Sequence, residues 1–222
     1  MTDAKIVTID GVLFDSDGVL VDSHVPVEQA WSTICERYGL DAERVLTELI
    51  GVRAADTLGR HLPADRVDEA VALLEDLEVE TAPGTPTIVG AAELLAALDP
   101  DRWTIVTSAS RRLARARWAG AGIPLPDRPP VTAEDVTEGK PSPEPFLTGA
   151  ARLGIDPARC LVFEDSPSGG RAAVASGAVV VAVGRQAWPV TPWARIDDLS
   201  AIEVVDDPSA SAAGITVRVA SP

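Results

Sequence analysis

The chain has 222 residues, 46% hydrophobic and 24% charged, enough apolar material for one substantial core and a smaller appended unit. Its formal net charge of −15 argues against the basic face that nucleic-acid binding needs, and no apolar run approaches the roughly 20 residues of a membrane span. Cys35 and Cys160 are too few for a disulfide framework and lack metal-site spacing. The stretch Met1–Lys5 lacks the layout of a secretory signal, so a cytoplasmic protein with no nucleic-acid or membrane partner is expected.

In chain order, the run Val12–Phe14 reads as a strand buried on both faces, and it delivers Asp15-Ser16-Asp17-Gly18 into a turn. Two carboxylates there suit acid/base or metal chemistry, although Asp-x-Asp-Gly is also an ordinary turn sequence. From Asp22 to Ala82 only helical periodicity follows. Val27, Trp31, Ile34 and Tyr38 share one helical face that stops at Gly39, and helices are expected over Ala42–Ile50, Ala54–His61 and Asp65–Glu80. The chain then returns near Pro83-Gly84-Thr85. Residues 22–82 are therefore expected to form a small inserted α-helical cap, and residues 1–21 and 83–222 the catalytic core. An insert that begins five residues after Asp17 would sit as a lid above the two acids, with a purely stabilising subdomain as the alternative.

Beyond the insert, helical and strand-like segments alternate. Helices are expected over Ile88–Leu98, Arg111–Ala119, Pro143–Leu153 and Ser168–Ser176, and strands over Trp103–Val106, Leu161–Phe163 and Val179–Val183. That rhythm predicts an α/β fold with a doubly wound parallel sheet, whose ligands gather at the strand C-termini. Ile202–Val205 and Ile215–Val219 read as edge strands around an Asp/Ser/Ala/Gly turn. Strand ends or adjoining loops carry, in order, Asp15 and Asp17, Ser108, Lys140 and Glu164-Asp165. Lys140 stands out because only it and Lys5 are lysines among nineteen basic residues.

The segments Asp15–Ser23, Val106–Ser110, Gly139–Phe146 and Phe163–Ser166 resemble the four signatures of the haloacid dehalogenase superfamily. A helical insert after the first signature resembles its β-phosphoglucomutase and sugar-phosphatase branch. Val131–Val136 is similar to the corresponding stretch of hexitol-, deoxyhexose- and glycerol-phosphate phosphatases. Val19 departs from the Thr of many relatives and leaves the acids untouched.

The resemblance implies a Rossmann-like core and a Mg2+-dependent phosphatase acting on a small phosphorylated metabolite. Asp15 would be the nucleophile that forms an aspartyl-phosphate, and Asp17 the general acid/base with its backbone carbonyl on the metal. Asp15 and Asp165 would hold Mg2+, with Glu164 a ligand or a support behind it. Ser108, the neighbouring N–H of Ala109 and Lys140 would bind the phosphoryl group.

Asp17 argues against dehalogenase chemistry, and the lack of a lysine between Asp22 and Ala82 argues against Schiff-base hydrolysis. A sugar phosphomutase is the main alternative, and a catalytically silent binding protein a distant one. Against the mutase, Val27 sits where a lid histidine is expected, Arg53 is one position early, and Arg111 replaces a lysine. Arg53 could instead reach substrate from the lid. Arg111 and Arg112 read as surface charges, His24 as a hinge histidine, His61 as structural, and Trp188 and Trp193 as cover for the sheet edge.

Overall fold

Gly11–Phe14 is buried at every position, as expected of a strand enclosed on both faces. In the computed structural model, which describes residues 4–205 and 214–219, this strand β2 lies inside a parallel sheet. Its neighbours are β3 (Trp103–Ile105) and β4 (Cys160–Glu164), followed by β5 (Val179–Val183) and β6 (Ala194–Ile196), in the order β3-β2-β4-β5-β6. Alternate side chains of β2 enter opposite layers. Val12 and Phe14 join Trp103, Leu161 and Phe163 on one face, and Leu13 joins Val106, Phe146 and Val162 on the other. Phe14 stacks on Phe163 with ring centroids 5.2 Å apart and meets Trp103 edge-on at 6.0 Å.

Four helices follow β2: α1 (His24–Tyr38), α2 (Ala42–Glu48), α3 (Ala54–Leu58) and α4 (Ala64–Thr81). They carry an apolar cluster of their own around Trp31, Ile34, Val45, Leu58 and Leu74. Helix α1 ends at Gly39 with φ +66, a left-handed turn in which glycine carries no side-chain penalty. Where Ala54–His61 reads as one helix, α3 stops at Leu58; Gly59 closes the turn, and His61 pairs with Glu48 at 3.0 Å. The two connections to the sheet lie together, with Asp22 N–H on the carbonyl of Pro86 and Ile88 N–H on that of Leu20.

The remaining helices are α5 (Ala91–Ala97), α6 (Arg111–Ala121), α7 (Glu144–Leu153) and α8 (Pro167–Ala175). The strands expected over Ile202–Val205 and Ile215–Val219 both form with those bounds, but only the first is an edge strand. β7 (Ile202–Val205) and β8 (Ile215–Val219) do not edge the parallel sheet. They pair antiparallel with each other and with β1 (Lys5–Ile9) in a separate sheet of order β1-β8-β7. The parallel sheet instead ends on β3 and β6, and the turn expected between β7 and β8 lies outside the described residues.

Candidate active site

The parallel register brings the C-terminal ends of β2, β3 and β4 together, because Phe14 pairs with Ile105 on one side and Phe163 on the other. The ladder continues one step into the loops: Asp15 N–H donates to Phe163 O at 2.9 Å and Val106 N–H to Phe14 O at 2.7 Å. Asp15 and the pair Glu164-Asp165 are thus placed by backbone hydrogen bonds. Gly18 then turns the chain with φ +81, and a Cβ there would come within 2.2 Å of Asp165 Oδ2.

Lys140 reaches this point from the loop before α7, and its side chain is fully buried. Its ammonium donates to Asp15 Oδ1 at 2.5 Å, Glu164 Oε1 at 2.8 Å and Val106 O at 3.2 Å, so each of its three protons has an acceptor. Burial opposes the ammonium, but the charges of Asp15 and Glu164 outweigh it and raise Lys140 above the ordinary lysine range. It remains a cation.

Asp15, Glu164 and Asp165 offer oxygens within 4.8 Å of one another. Glu164 is committed elsewhere: Oε1 accepts from Lys140, and Oε2 accepts from the N–H and hydroxyl of Ser166. Burial, then the charges of Glu164 and Asp15, push Asp165 well above the usual carboxylate range. Crowded buried carboxylates with an all-oxygen donor set fit a hard divalent cation such as Mg2+. Trp188 donates its indole N–H to the Asp165 carbonyl at 3.2 Å, holding that residue from behind.

Asp17 turns away from this cluster. Its Oδ1 accepts from Ser23 Oγ at 2.6 Å and from Arg117 Nη1 at 2.8 Å, while Arg117 Nη2 donates to Glu78 Oε1 at 3.0 Å. Sequence reasoning missed Arg117 and Glu78. A signal was present, since Ala70, Leu74 and Glu78 follow each other at i, i+4 on the buried face of α4, and Leu113 and Arg117 do so on α6. A charge on such a stripe needs a buried partner.

These groups open on a cavity of 690 Å³ between the strand ends and the helical insert, lined also by Ser108, Ala109, Arg53 and His24. Two intended phosphate donors have other partners: Ser108 Oγ donates to Gly51 O at 3.0 Å, and Ala109 N–H donates to Thr107 Oγ1 at 3.1 Å. Gly51, at φ +73, has no room for a Cβ, which would fall 2.1 Å from Ser166 Oγ. Arg53 is clamped to Asp56 at 2.6 and 3.0 Å and donates to Val136 O at 3.3 Å, joining the insert to the core rather than presenting an unpaired charge. Nε2 of His24 lies 3.9 Å from Asp165 Oδ2, at the cavity edge. Arg111 pairs with Asp135 at 2.9 Å, and Arg112 pairs with Glu75 and Asp76 of α4, so Arg112 is also a tie to the insert.

Residues 9–177 match the haloacid dehalogenase-like hydrolase family. The chain is 43% identical over 183 residues to hexitol phosphatase A of Escherichia coli, covering 80% of this chain and 84% of that protein. It is 33% identical over 196 residues to 2-deoxyglucose-6-phosphate phosphatase 1 of Saccharomyces cerevisiae, covering 78% and 79%. A crystal structure of a hydrolase from Pseudomonas syringae shares the fold, with a TM-score of 0.77 at 23% identity over 86% of this chain and 94% of that one. The chain belongs to the haloacid dehalogenase-like hydrolases.

Proposed function

We propose that the protein is a Mg2+-dependent phosphatase of a small sugar or polyol monophosphate, acting through an aspartyl-phosphate on Asp15. The observation that carries this reading is the buried Lys140 ammonium, shared between Asp15 and Glu164 directly behind the Asp15 and Asp165 carboxylates that line the cavity floor. The phosphatase names of relatives at 43% and 33% identity support the reaction class.

Asp15 and Asp165, with the Asp17 carbonyl, would hold Mg2+, which when bound supplies positive charge against the phosphoryl oxygens. Lys140 fixes Oδ1 of Asp15 and so orients the carboxylate for in-line attack on phosphorus. As that bond forms and the ester P–O bond breaks, Asp17 gives a proton to the departing alcohol oxygen. Water then attacks the phosphoryl group and gives a proton back to Asp17, and the Asp15–phosphorus bond breaks to release phosphate. Ser108 and the Ala109 N–H take phosphoryl oxygens by exchanging their present partners, Gly51 O and Thr107 Oγ1. Loss of the Ser108–Gly51 bond links phosphate entry to movement of residues 22–82, which act as the cap over the core formed by residues 1–21 and 83–222.

The cavity favours a phosphatase over a mutase. Its two lining arginines are already spent, Arg53 on Asp56 and Arg117 on Asp17 and Glu78, and the rest of the lid wall is apolar (Val27, Leu46, Ile50, Val71) or acidic (Glu28, Glu75). A second phosphate would therefore find no unpaired arginine there. The test is incubation with Mg2+ and a panel of sugar and polyol monophosphates, following free phosphate and product isomers. Phosphate release abolished in Asp15→Asn is expected. Interconversion of sugar phosphates without net release would overturn the phosphatase reading in favour of the mutase.

A further inference from the structure

We propose that Arg117 is a positioning residue for Asp17: it holds the Oδ1 edge of that carboxylate so that Oδ2 serves the leaving-group oxygen, and Glu78 anchors it. This assignment rests on the acid/base role proposed for Asp17.

Both hydrogen bonds to the Asp17 carboxylate, from Ser23 Oγ and Arg117 Nη1, fall on Oδ1. An oxygen facing two donors is a poor place for a proton, so the transferable proton belongs on Oδ2. The Arg117 guanidinium cannot drift, because it is 4% exposed and its other arm is held by Glu78. The planar fork of arginine suits this double engagement, and the single ammonium of a lysine does not reproduce it.

Stability does not account for the triad by itself. Buried ion pairs are commonly replaceable by apolar side chains without loss, and the surroundings here include Leu74 and Leu113. The anchor also sits where it can hold Asp17 steadily. Glu78 lies one turn before the end of α4, and α6 packs so closely on the following turn that a Cβ on Gly120 would come within 2.4 Å of Ala82 O. Asp17, Arg117 and Glu78 are thus tied at the hinge side of the insert, and all three line the cavity.

The experiment compares kcat/KM for an alkyl monophosphate, glycerol phosphate, with that for p-nitrophenyl phosphate. Only the alkyl leaving group needs a well-placed proton, and kcat/KM reports the steps up to departure of that group. In Arg117→Leu, the glycerol phosphate value is expected to fall about 100-fold and the aryl value by less than about threefold. Because that variant leaves Glu78 buried and unpaired, Arg117→Leu/Glu78→Leu is measured beside it and should show the same divergence with a native melting temperature. Equal losses on both esters, or no loss, in the double variant would overturn the assignment. Asp15→Asn separates this from the reading beneath it. Undiminished turnover of both esters in that variant would overturn the aspartyl-phosphate mechanism and the Arg117 role together. Its inactivity, combined with an unchanged ester ratio in the double variant, would overturn the Arg117 role alone.

Discussion

The floor of the cavity and its roof are built on opposite plans. The floor is a polar cluster in which Lys140 gives all three protons to named acceptors and Glu164 accepts with both oxygens. The roof, from α1 to α4, lines the cavity with apolar side chains such as Val27, Trp31, Leu46 and Val71 and with the acids Glu28 and Glu75, while its one lining arginine, Arg53, is paired with Asp56. A saturated buried network holds one geometry, because any displacement strands a charge. An apolar wall tolerates change and selects by shape. On the phosphatase reading proposed above, the contrast would give the chemistry to the floor and the choice of substrate to the roof.

The strongest way to break that contrast is Lys140→Ala. The buried carboxylates Asp15 and Glu164 would lose their common cation, so phosphate release should fall at least about 1,000-fold, with about 3–5 kcal/mol of stability lost. Phosphate assays and thermal unfolding measure both. A stable, active variant would mean that the floor is not a single electrostatic unit.

The next largest effect concerns Glu78, where floor and roof meet. Burial, against the attraction of Arg117 and with the repulsion of Asp17, raises its carboxyl from the ordinary 4.5 to about 7. A carboxyl whose folded pKa is raised favours folding in its protonated form. Its contribution is complete below pH 4.5 and is lost as the pH rises through about 7. Glu78→Gln removes that titration. Relative to the wild type it should gain about 3 kcal/mol between pH 4.5 and pH 8, measured by urea unfolding at several pH values. A stability difference that stays flat with pH would show that Arg117 keeps Glu78 fully ionised.

The roof can be sharpened by supplying the charge it lacks. Val27→Arg places a cation on the lid side of the cavity, so KM for a sugar bisphosphate should fall about tenfold, with kcat for the monophosphate within about threefold. A collapse of monophosphate turnover would show that the roof takes part in the chemistry as well as the choice.

Much of the floor was legible because its parts are local events. A β-branched or apolar run ending in Asp, Ser or Glu-Asp states both a strand and what its C-terminus carries, and Gly39 marks the end of α1 by its own backbone freedom. β1 was not legible, because its largely exposed residues Lys5–Ile9 become a strand through pairing with residues 215–219 at the far end of the chain. Arg117 and Glu78 were hidden differently. Each reads as a charge interrupting an amphipathic stripe, and only the packing of α4 on α6 turns the two interruptions into one ion pair.

Trp188 tests how far the floor extends away from the roof. Its indole N–H supports the backbone of Asp165, and its ring lies so close to α8 that a Cβ on Gly170 would come within 2.5 Å of it. Trp188→Phe keeps an aromatic ring against Gly170 and removes the single hydrogen bond, a change of about 1 kcal/mol. Because that bond steadies the residue proposed to hold the metal, the expected outcome is an activity that needs a few-fold more Mg2+ for half-saturation, with kcat nearly unchanged at saturating Mg2+. Titrating phosphate release against Mg2+ measures this. An identical Mg2+ curve accompanied by a lower melting temperature would confine Trp188 to covering the sheet, and the floor would then end at Asp165 itself.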